Sequence, residues 1–188
     1  MKAGTRKERH KQLQSLLREN PLLTDEELAS ALSVSLSTLR LDRGILGIPE
    51  LRERMRSMAE NANSRLRSLK SEEVIGELLE LEPNSAAMSV LSAHDDISFR
   101  HTKVVSDYYI YSQAASLAIA TIDEDMVIIG AARLRYRKPA YVGNKILARS
   151  KVGTHKGNKY VVSVHSSVDG NEIFVARFVV VAKNDFIK

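Results

Sequence analysis

Hydrophobic residues recur every three or four positions through the first seventy residues, which predicts a series of short helices. The first helix is predicted over residues 5–20. The second is predicted to begin after Thr24, because Thr24 and Glu27 have the spacing of a capping box, in which each side chain satisfies the other's backbone amide. After a short turn, Ser35 is placed to cap a third helix over residues 36–46.

A fourth amphipathic helix is predicted from Pro49 to about Lys70. Its apolar residues keep the same three- and four-residue spacing, while arginines occupy the remaining faces. A proline is tolerated in the first turn of a helix, so Pro49 marks its start. We expect this segment to be a linker helix that packs against its twin in a dimer or against the neighbouring domain.

The hydrophobic rhythm changes after Ser71. Residues 74–81 are ambiguous between helix and strand, and residues 86–91 are predicted as a strand. Residues 107–122 form a predicted helix with almost no polar face, so this helix must be buried on most sides. Four strand-like runs separated by turn signals follow, over residues 126–137, 146–155, 160–167 and 172–182.

One buried helix followed by an antiparallel meander predicts a sheet curled around that helix. This layered α+β arrangement is often called a hotdog. The predicted fold class is therefore α+β, with an N-terminal helix-turn-helix or winged-type domain, an amphipathic linker helix and a C-terminal hotdog domain. The expected domain boundaries are residues 1–48, 49–72 and 73–188.

The composition is that of an ordinary globular protein, with 44% hydrophobic and 27% charged residues in 188. No apolar run approaches the length of a transmembrane helix, and no signal-peptide pattern opens the chain. The sequence has no cysteine, which excludes disulfides, cysteine-bound zinc and a thiol nucleophile. We therefore expect a bacterial cytoplasmic protein that has no membrane partner.

The net charge of +5 is confined to the first third of the chain. Residues 1–70 contain 14 Lys and Arg against 9 Asp and Glu, whereas residues 71–188 contain 14 of each sign. A basic module joined to a neutral one indicates that one end of the protein meets a polyanion. A merely solvated basic helix is the alternative explanation of the charge alone.

Two helices joined by a short turn, the second beginning with small polar and basic residues, are typical of a helix-turn-helix. The major groove of DNA admits one helix, and the N-terminal residues of that helix reach the base edges. We therefore expect double-stranded operator DNA as a partner, although a small helical bundle with a decorated surface remains the alternative. The expected DNA-binding residues are Ser35, Ser37, Thr38, Arg40, Arg43, Arg52 and Arg56.

Five segments of the chain carry a resemblance to a known family, namely Thr24–Leu28, Val34–Ser35, Leu39–Arg43, Ile48–Arg52 and Gln113–Ala118. The chain resembles the FapR family of fatty acid and phospholipid biosynthesis regulators, whose helix-turn-helix is of the DeoR type. The resemblance spans the whole chain and is strongest through residue 56. It implies a homodimer that represses lipid-synthesis genes. It also implies that operator DNA is released when malonyl-CoA, or its acyl-carrier-protein form, occupies the hotdog domain.

The resemblance also implies where the effector binds. The family has an Arg-Gly pair before the central helix, whose arginine takes the malonyl carboxylate, and an asparagine that orients the thioester. The corresponding positions here are Ser106, Asp107 and Ala115, while Phe99 keeps the family's aromatic residue. A carboxylate in place of a cation replaces attraction by repulsion, which at about 4 Å amounts to several kcal/mol. We therefore expect a different acyl thioester as effector, or weak binding of malonyl-CoA.

Hotdog domains also serve as thioesterases, so an acyl-CoA thioesterase with a basic appendage is the alternative function. Asp107, at the start of the buried helix, is the candidate catalytic carboxylate, but a helix-capping role explains it more simply. We expect no enzyme and no cofactor. We also expect no metal site, because residues 94–96 are spaced too tightly for a metal triad. On one predicted strand, alternating arginines could meet CoA phosphates, acids of another subunit or water; these are Arg133, Arg135 and Arg137.

Overall fold

The structure, a computed structural model, describes residues 5–183. The chain divides into two compact units, with the boundary between Met58 and Ala59. The two outermost predicted domain limits, at residues 1 and 188, lie outside the described residues. No helix in the described part of the chain is both long and apolar enough to cross a membrane.

The N-terminal unit is built from helices whose starts follow the capping signals of the sequence. Thr5 and Glu8 form a capping box before the first helix, and Thr24 and Glu27 form another before the second. Ser35 caps the third helix by accepting a hydrogen bond from the backbone amide of Thr38 at 3.2 Å. The helices are α1 (Arg6–Glu19), α2 (Asp25–Ala31), α3 (Leu36–Leu46) and α4 (Leu51–Asn63), and the boundary between the two units falls within α4. The predicted first three helices are confirmed.

The core of this unit lies where α1, α2 and α3 meet. Leu13, Leu28, Ala29 and Leu39 are buried together there. Between α2 and α3, Val34 donates its backbone N–H to the carbonyl of Ala29 at 3.0 Å and packs against this core. The tight turn and the shared core fix α3 against α2 as a helix-turn-helix.

Helix α4 ends at Asn63, well before the predicted end near Lys70. The side-chain amide of Asn63 donates to the carbonyl of Ala59 at 2.9 Å, and the Ser64 hydroxyl donates to the carbonyl of Asn61 at 2.8 Å. Such short polar side chains compete with the helical hydrogen-bond pattern. The apolar residues that follow, Leu66 among them, pack into the C-terminal core and do not continue the helical stripe.

The C-terminal unit contains one long helix and six strands, together with short 3-10 turns at Ser71–Glu73 and Asp95–Ile97. Of the ambiguous segment 74–81, the part from Glu77 onward forms a strand, and the other predicted strands and the buried helix are confirmed. The elements are β1 (Glu77–Glu82), β2 (Ala86–Ser92), α5 (Asp107–Ala120), β3 (Val127–Tyr136), β4 (Lys145–Lys156), β5 (Lys159–Val168) and β6 (Asn171–Ala182).

The six strands form one antiparallel sheet in the order β1-β2-β4-β5-β6-β3. Helix α5 packs against one face of this sheet, and Leu117 on the helix is fully buried with Phe174 and Phe178 on β6. This is the hotdog arrangement, because the sheet encloses an apolar helix whose sides are nearly all covered.

Strand β3 lies at an edge of the sheet, and its inner-face side chains are only partly covered. Leu134 pairs with Ala176 and Tyr136 pairs with Phe174 in the β3–β6 register. The two β6 residues are buried, whereas Leu134 and Tyr136 are each 39% exposed. An apolar row on an unpaired edge strand is a surface that favours pairing with another chain.

Candidate functional site

A buried carboxylate on the inner side of α3 connects this helix to α1. Asp42 is 2% exposed and receives two hydrogen bonds from Arg9, from Nε at 2.6 Å and from Nη2 at 3.1 Å. His10 Nε2 lies 2.8 Å from the same carboxylate. These contacts, the Arg9 hydrogen bonds foremost, lower the pKa of Asp42 to about 2 although burial opposes the shift. The charged carboxylate therefore ties α1 to α3.

Arg43 is placed inside the unit, although the sequence predicts it among the DNA-binding residues. Its side chain is 7% exposed, and it donates to Asp25 Oδ2 at 2.9 Å and to the carbonyl of Ile48 at 3.0 Å. The physical reason is helical spacing. Residue 43 lies four positions after the buried Leu39, and so on the inner side of α3. Arg43 thus joins the start of α2 to the end of α3.

The opposite side of α3 is exposed, and its N-terminal part is polar. Ser35 and Ser37 are exposed at its N-terminus, with their hydroxyl oxygens 2.9 Å apart, and Ser35 Oγ lies 2.9 Å from Thr38 Oγ1. The side chain of Arg40 is 64% exposed, with its Nε 3.7 Å from Asp25 Oδ2. The structure therefore brings four of the predicted DNA-binding residues onto one surface, with free helical amides at its N-terminal end.

The predicted residues on α4 border the same surface. Arg52 and Arg56 line a groove of about 800 Å³ together with Arg40, and two glutamates, Glu50 and Glu53, also line it. The groove runs between the end of α3 and the first turns of α4. Its charge is mixed, with the arginines in excess.

Three residues of the exposed α3 face were missed in the sequence. Leu41 is 68% exposed and Ile45 is 56% exposed. Gly44 lies beside them, and a Cβ added there would meet nothing within 4 Å. A glycine inside a helix costs about 1 kcal/mol relative to alanine, so a glycine at a position without a packing reason was the signal that the sequence offered here. We call Ser35, Ser37, Thr38, Arg40, Leu41, Gly44 and Ile45 the outer face of α3.

In the C-terminal unit, three of the four predicted effector-binding residues lie in one short segment. Phe99 is 46% exposed, and its backbone N–H donates to the carbonyl of Val104 at 2.9 Å, which closes a tight loop. The N–H of Ser106 donates to the carbonyl of Ile97 at 2.9 Å. These bonds hold the Phe99 loop against the beginning of α5.

Asp107 occupies the first turn of α5 and is exposed. Its Oδ1 accepts a hydrogen bond from the backbone amide of Tyr108 at 2.9 Å, and its carbonyl accepts one from the Tyr136 hydroxyl at 3.0 Å. Burial, followed by the nearby Asp107, raises the pKa of Tyr136. The N-cap of α5 is Ser106, and Asp107 is the first helical residue, whose carboxylate satisfies the amide of the next residue.

Ala115 lies two turns further along α5, about 12 Å of helical rise from Asp107, and is buried in the core. Its neighbour Gln113 is fully buried, and its side-chain amide donates to the carbonyls of Ser89 at 3.3 Å and Ile146 at 3.1 Å. Among the described residues, Gln113 Oε1 has no hydrogen-bond partner. In the sequence, the burial of this polar side chain was signalled only by a glutamine inside an otherwise apolar helix. Within residues 5–183, no group of three potential metal ligands is assembled.

The chain combines a helix-turn-helix unit, which has an exposed polar helix face, with a hotdog domain. This combination is that of a transcription factor with a separate second domain. Relatives support this class. The chain is 42% identical over 182 residues to Transcription factor FapR of Thermoanaerobacter sp. strain X514, covering 96% of this chain and 91% of the relative. It is 38% identical over 176 residues to that of Geobacillus thermodenitrificans, covering 93% and 89%. The chain belongs to the FapR family of transcription factors.

No family model matches the chain. Solved structures show the same hotdog fold in distant proteins. A sigma28-regulated virulence protein of Campylobacter jejuni, Cj0977, matches with a TM-score of 0.64 and 18% identity, over 70% of this chain and 94% of that one. The uncharacterized protein PH1136 of Pyrococcus horikoshii matches with a TM-score of 0.59 and 22% identity, over 64% and 92%.

Proposed function

We propose that this protein is a homodimeric repressor of fatty acid and phospholipid synthesis genes. It binds operator DNA through the outer face of α3 and releases it when an acyl thioester binds the hotdog domain. The observation that carries the proposal is the exposed polar and basic face of α3, positioned by Asp42 and Arg43 on its buried side. Membership of the FapR family supports it, and the link to lipid genes follows from the resemblance of the sequence.

The outer face of α3 has the groups that a major-groove helix needs. The serine hydroxyls and free amides at its N-terminus suit phosphate oxygens, because helix N-termini attract anions. Arg40 can donate two parallel hydrogen bonds to guanine. Leu41 and Ile45 offer apolar contact to thymine methyl groups. Gly44 would let the helix backbone approach the duplex closely.

The homodimer would form through β3. Pairing of two β3 edges would use their unpaired backbone groups and would cover the exposed Leu134 and Tyr136 of each copy. A two-fold symmetric dimer would then present two copies of α3 to half-sites about 34 Å apart on the DNA.

The effector would bind beside Phe99 and the start of α5. Asp107 is exposed there, so an acyl group ending in a carboxylate would meet a like charge. We therefore favour an uncharged acyl thioester over malonyl-CoA. Titration of acetyl-, hexanoyl- and malonyl-CoA against the operator complex tests this, and we expect release by an uncharged thioester. Release by malonyl-CoA alone, at low micromolar concentration, would refute the assignment.

The DNA interface is tested by fluorescence anisotropy with duplexes taken upstream of fatty acid and phospholipid synthesis genes. Arg40→Ala should weaken binding by about 1 to 3 kcal/mol, which is roughly 5-fold to 150-fold, because it removes a base or phosphate contact. Arg18→Ala, at the end of α1, is the matched control and should leave the affinity within about twofold. Equal losses of affinity in both variants would mean that Arg40 contributes only through the net charge of the protein. That result would contradict the proposed interface.

A further inference from the structure

The outer face of the sheet, opposite α5, carries a cluster of arginines at the β3 edge. Arg133 on β3 lies directly opposite Arg177 on β6 in the strand register. The arginines surround a depression of about 420 Å³, which two residues of β5 help to line. Its polar lining consists of Arg133, Arg135, Arg137, Arg177, Ser163 and His165.

Without a bound partner, this arginine cluster destabilises the folded protein. Residues directly opposite on neighbouring strands have Cβ atoms about 5 Å apart, and like charges at such positions are destabilising. In the described part of the chain, Glu172 is the carboxylate that reaches the cluster. It lies 2.9 Å from Arg137 Nε and 2.5 Å from His165 Nδ1. No described acidic side chain forms an ion pair with Arg133, Arg135 or Arg177.

We propose that this depression binds a small ligand carrying at least two phosphate groups. Guanidinium groups bind phosphate through pairs of parallel hydrogen bonds, and a bound polyanion would relieve the repulsion between Arg133 and Arg177. Alternate residues of a strand lie about 6.8 Å apart, so Arg133 and Arg135 can hold two linked anionic groups. The depression is within the size range of small-molecule sites.

The site is separate from both proposed interfaces. It lies on the face of the sheet away from α5, whereas the effector segment lies at the start of α5. Pairing of β3 edges in a dimer uses backbone groups and leaves the outer face of the sheet, which carries the arginines, open. A small polyanion fits the observations better than duplex DNA, because four guanidinium groups surround a single depression.

The site is tested on the full-length protein with sodium pyrophosphate, by calorimetry and by thermal unfolding. Pyrophosphate should raise the Tm of the wild type more than orthophosphate does at equal ionic strength. Arg133→Gln combined with Arg177→Gln should weaken pyrophosphate binding at least tenfold. Lys159→Gln, at the far end of β5 and outside the depression, is the matched control and should change the affinity less than twofold.

Two further readouts separate this site from the others. Circular dichroism should show that the double variant is folded, and the single variant Arg177→Gln should weaken pyrophosphate binding at least threefold if the double variant does not fold. Operator release by acyl-CoA should be unchanged in the variants. The proposal is overturned if pyrophosphate fails to stabilise the wild type, or if the variants bind it normally. The proposal is also overturned if the arginine variants lose only operator binding, or only operator release by acyl-CoA.

Discussion

On α3, the burial of neighbouring residues is the reverse of what their polarity suggests. Asp42 and Arg43 are buried and paired, whereas Leu41 and Ile45 are exposed. A charged residue in a basic segment is ordinarily expected to face solvent, so the sequence alone pointed to Arg43 as a DNA contact. The partners that bury it, Asp25 and the Ile48 carbonyl, are brought to it only by the tertiary fold.

Asp42 should make the stability of the N-terminal unit depend on pH. Its folded pKa of about 2 is below the unfolded value of about 3.9. A lowered pKa means that the stabilisation is fully present above about pH 4 and is lost as the pH falls through about 2, and it amounts to about 2 to 3 kcal/mol. Asp42→Asn should therefore unfold more easily in urea at pH 7, and its difference from the wild type should shrink towards pH 2. A difference that stays constant with pH would contradict the buried ion pair.

Gly44→Ala should separate stability from DNA binding. Alanine is the better helix former and meets no neighbouring atom at this position, so the variant should be more stable by about 0.5 to 1 kcal/mol. If the outer face of α3 lies against a duplex, the added methyl group should also weaken operator affinity severalfold. Thermal unfolding and anisotropy measure the two effects. Higher stability with unchanged DNA affinity would place Gly44 outside the interface.

At the scale of elements, helix starts were predictable and one helix end was not. The capping residues Thr24 and Ser35 act locally, so their hydrogen bonds could be read from short stretches of sequence. The end of α4 at Asn63 was missed because Leu66 and Leu69 continue its apolar spacing while packing into a different core. The order of the six strands depends on long-range pairing, which no local pattern encodes.

The capping box of α2 gives a direct test at this scale. Thr24→Ala removes the hydroxyl that accepts the Glu27 amide at 3.2 Å, and should cost about 1 kcal/mol of unfolding free energy. Thr24→Ser keeps a hydroxyl at the same place and serves as the control, with a loss of a few tenths of a kcal/mol at most. Similar losses in chemical denaturation for both variants would show that the cap contributes little.

At the scale of the whole molecule, the proposed repressor is a dimer of two copies of the chain. Leu134→Asp puts a charge on the exposed inner row of β3 and should convert the proposed dimer to a monomer in analytical ultracentrifugation. Thr154→Asp adds the same charge on an exposed part of β4, and it should leave the dimer intact. The Leu134 variant should also bind operator DNA more weakly, because it loses the second α3. A stable Leu134→Asp dimer would move the interface to another surface.

The most direct test of the central claim, that the outer face of α3 binds duplex DNA, is the salt dependence of operator affinity. Wild-type affinity should fall linearly with the logarithm of salt concentration, because phosphate contacts release bound counterions. Binding should remain at least about a thousandfold tighter for the operator than for a scrambled duplex, as in specific complexes. Arg40→Ala should lose part of that preference. Binding that ignores salt, or that fails to distinguish operator from scrambled DNA, would contradict the account.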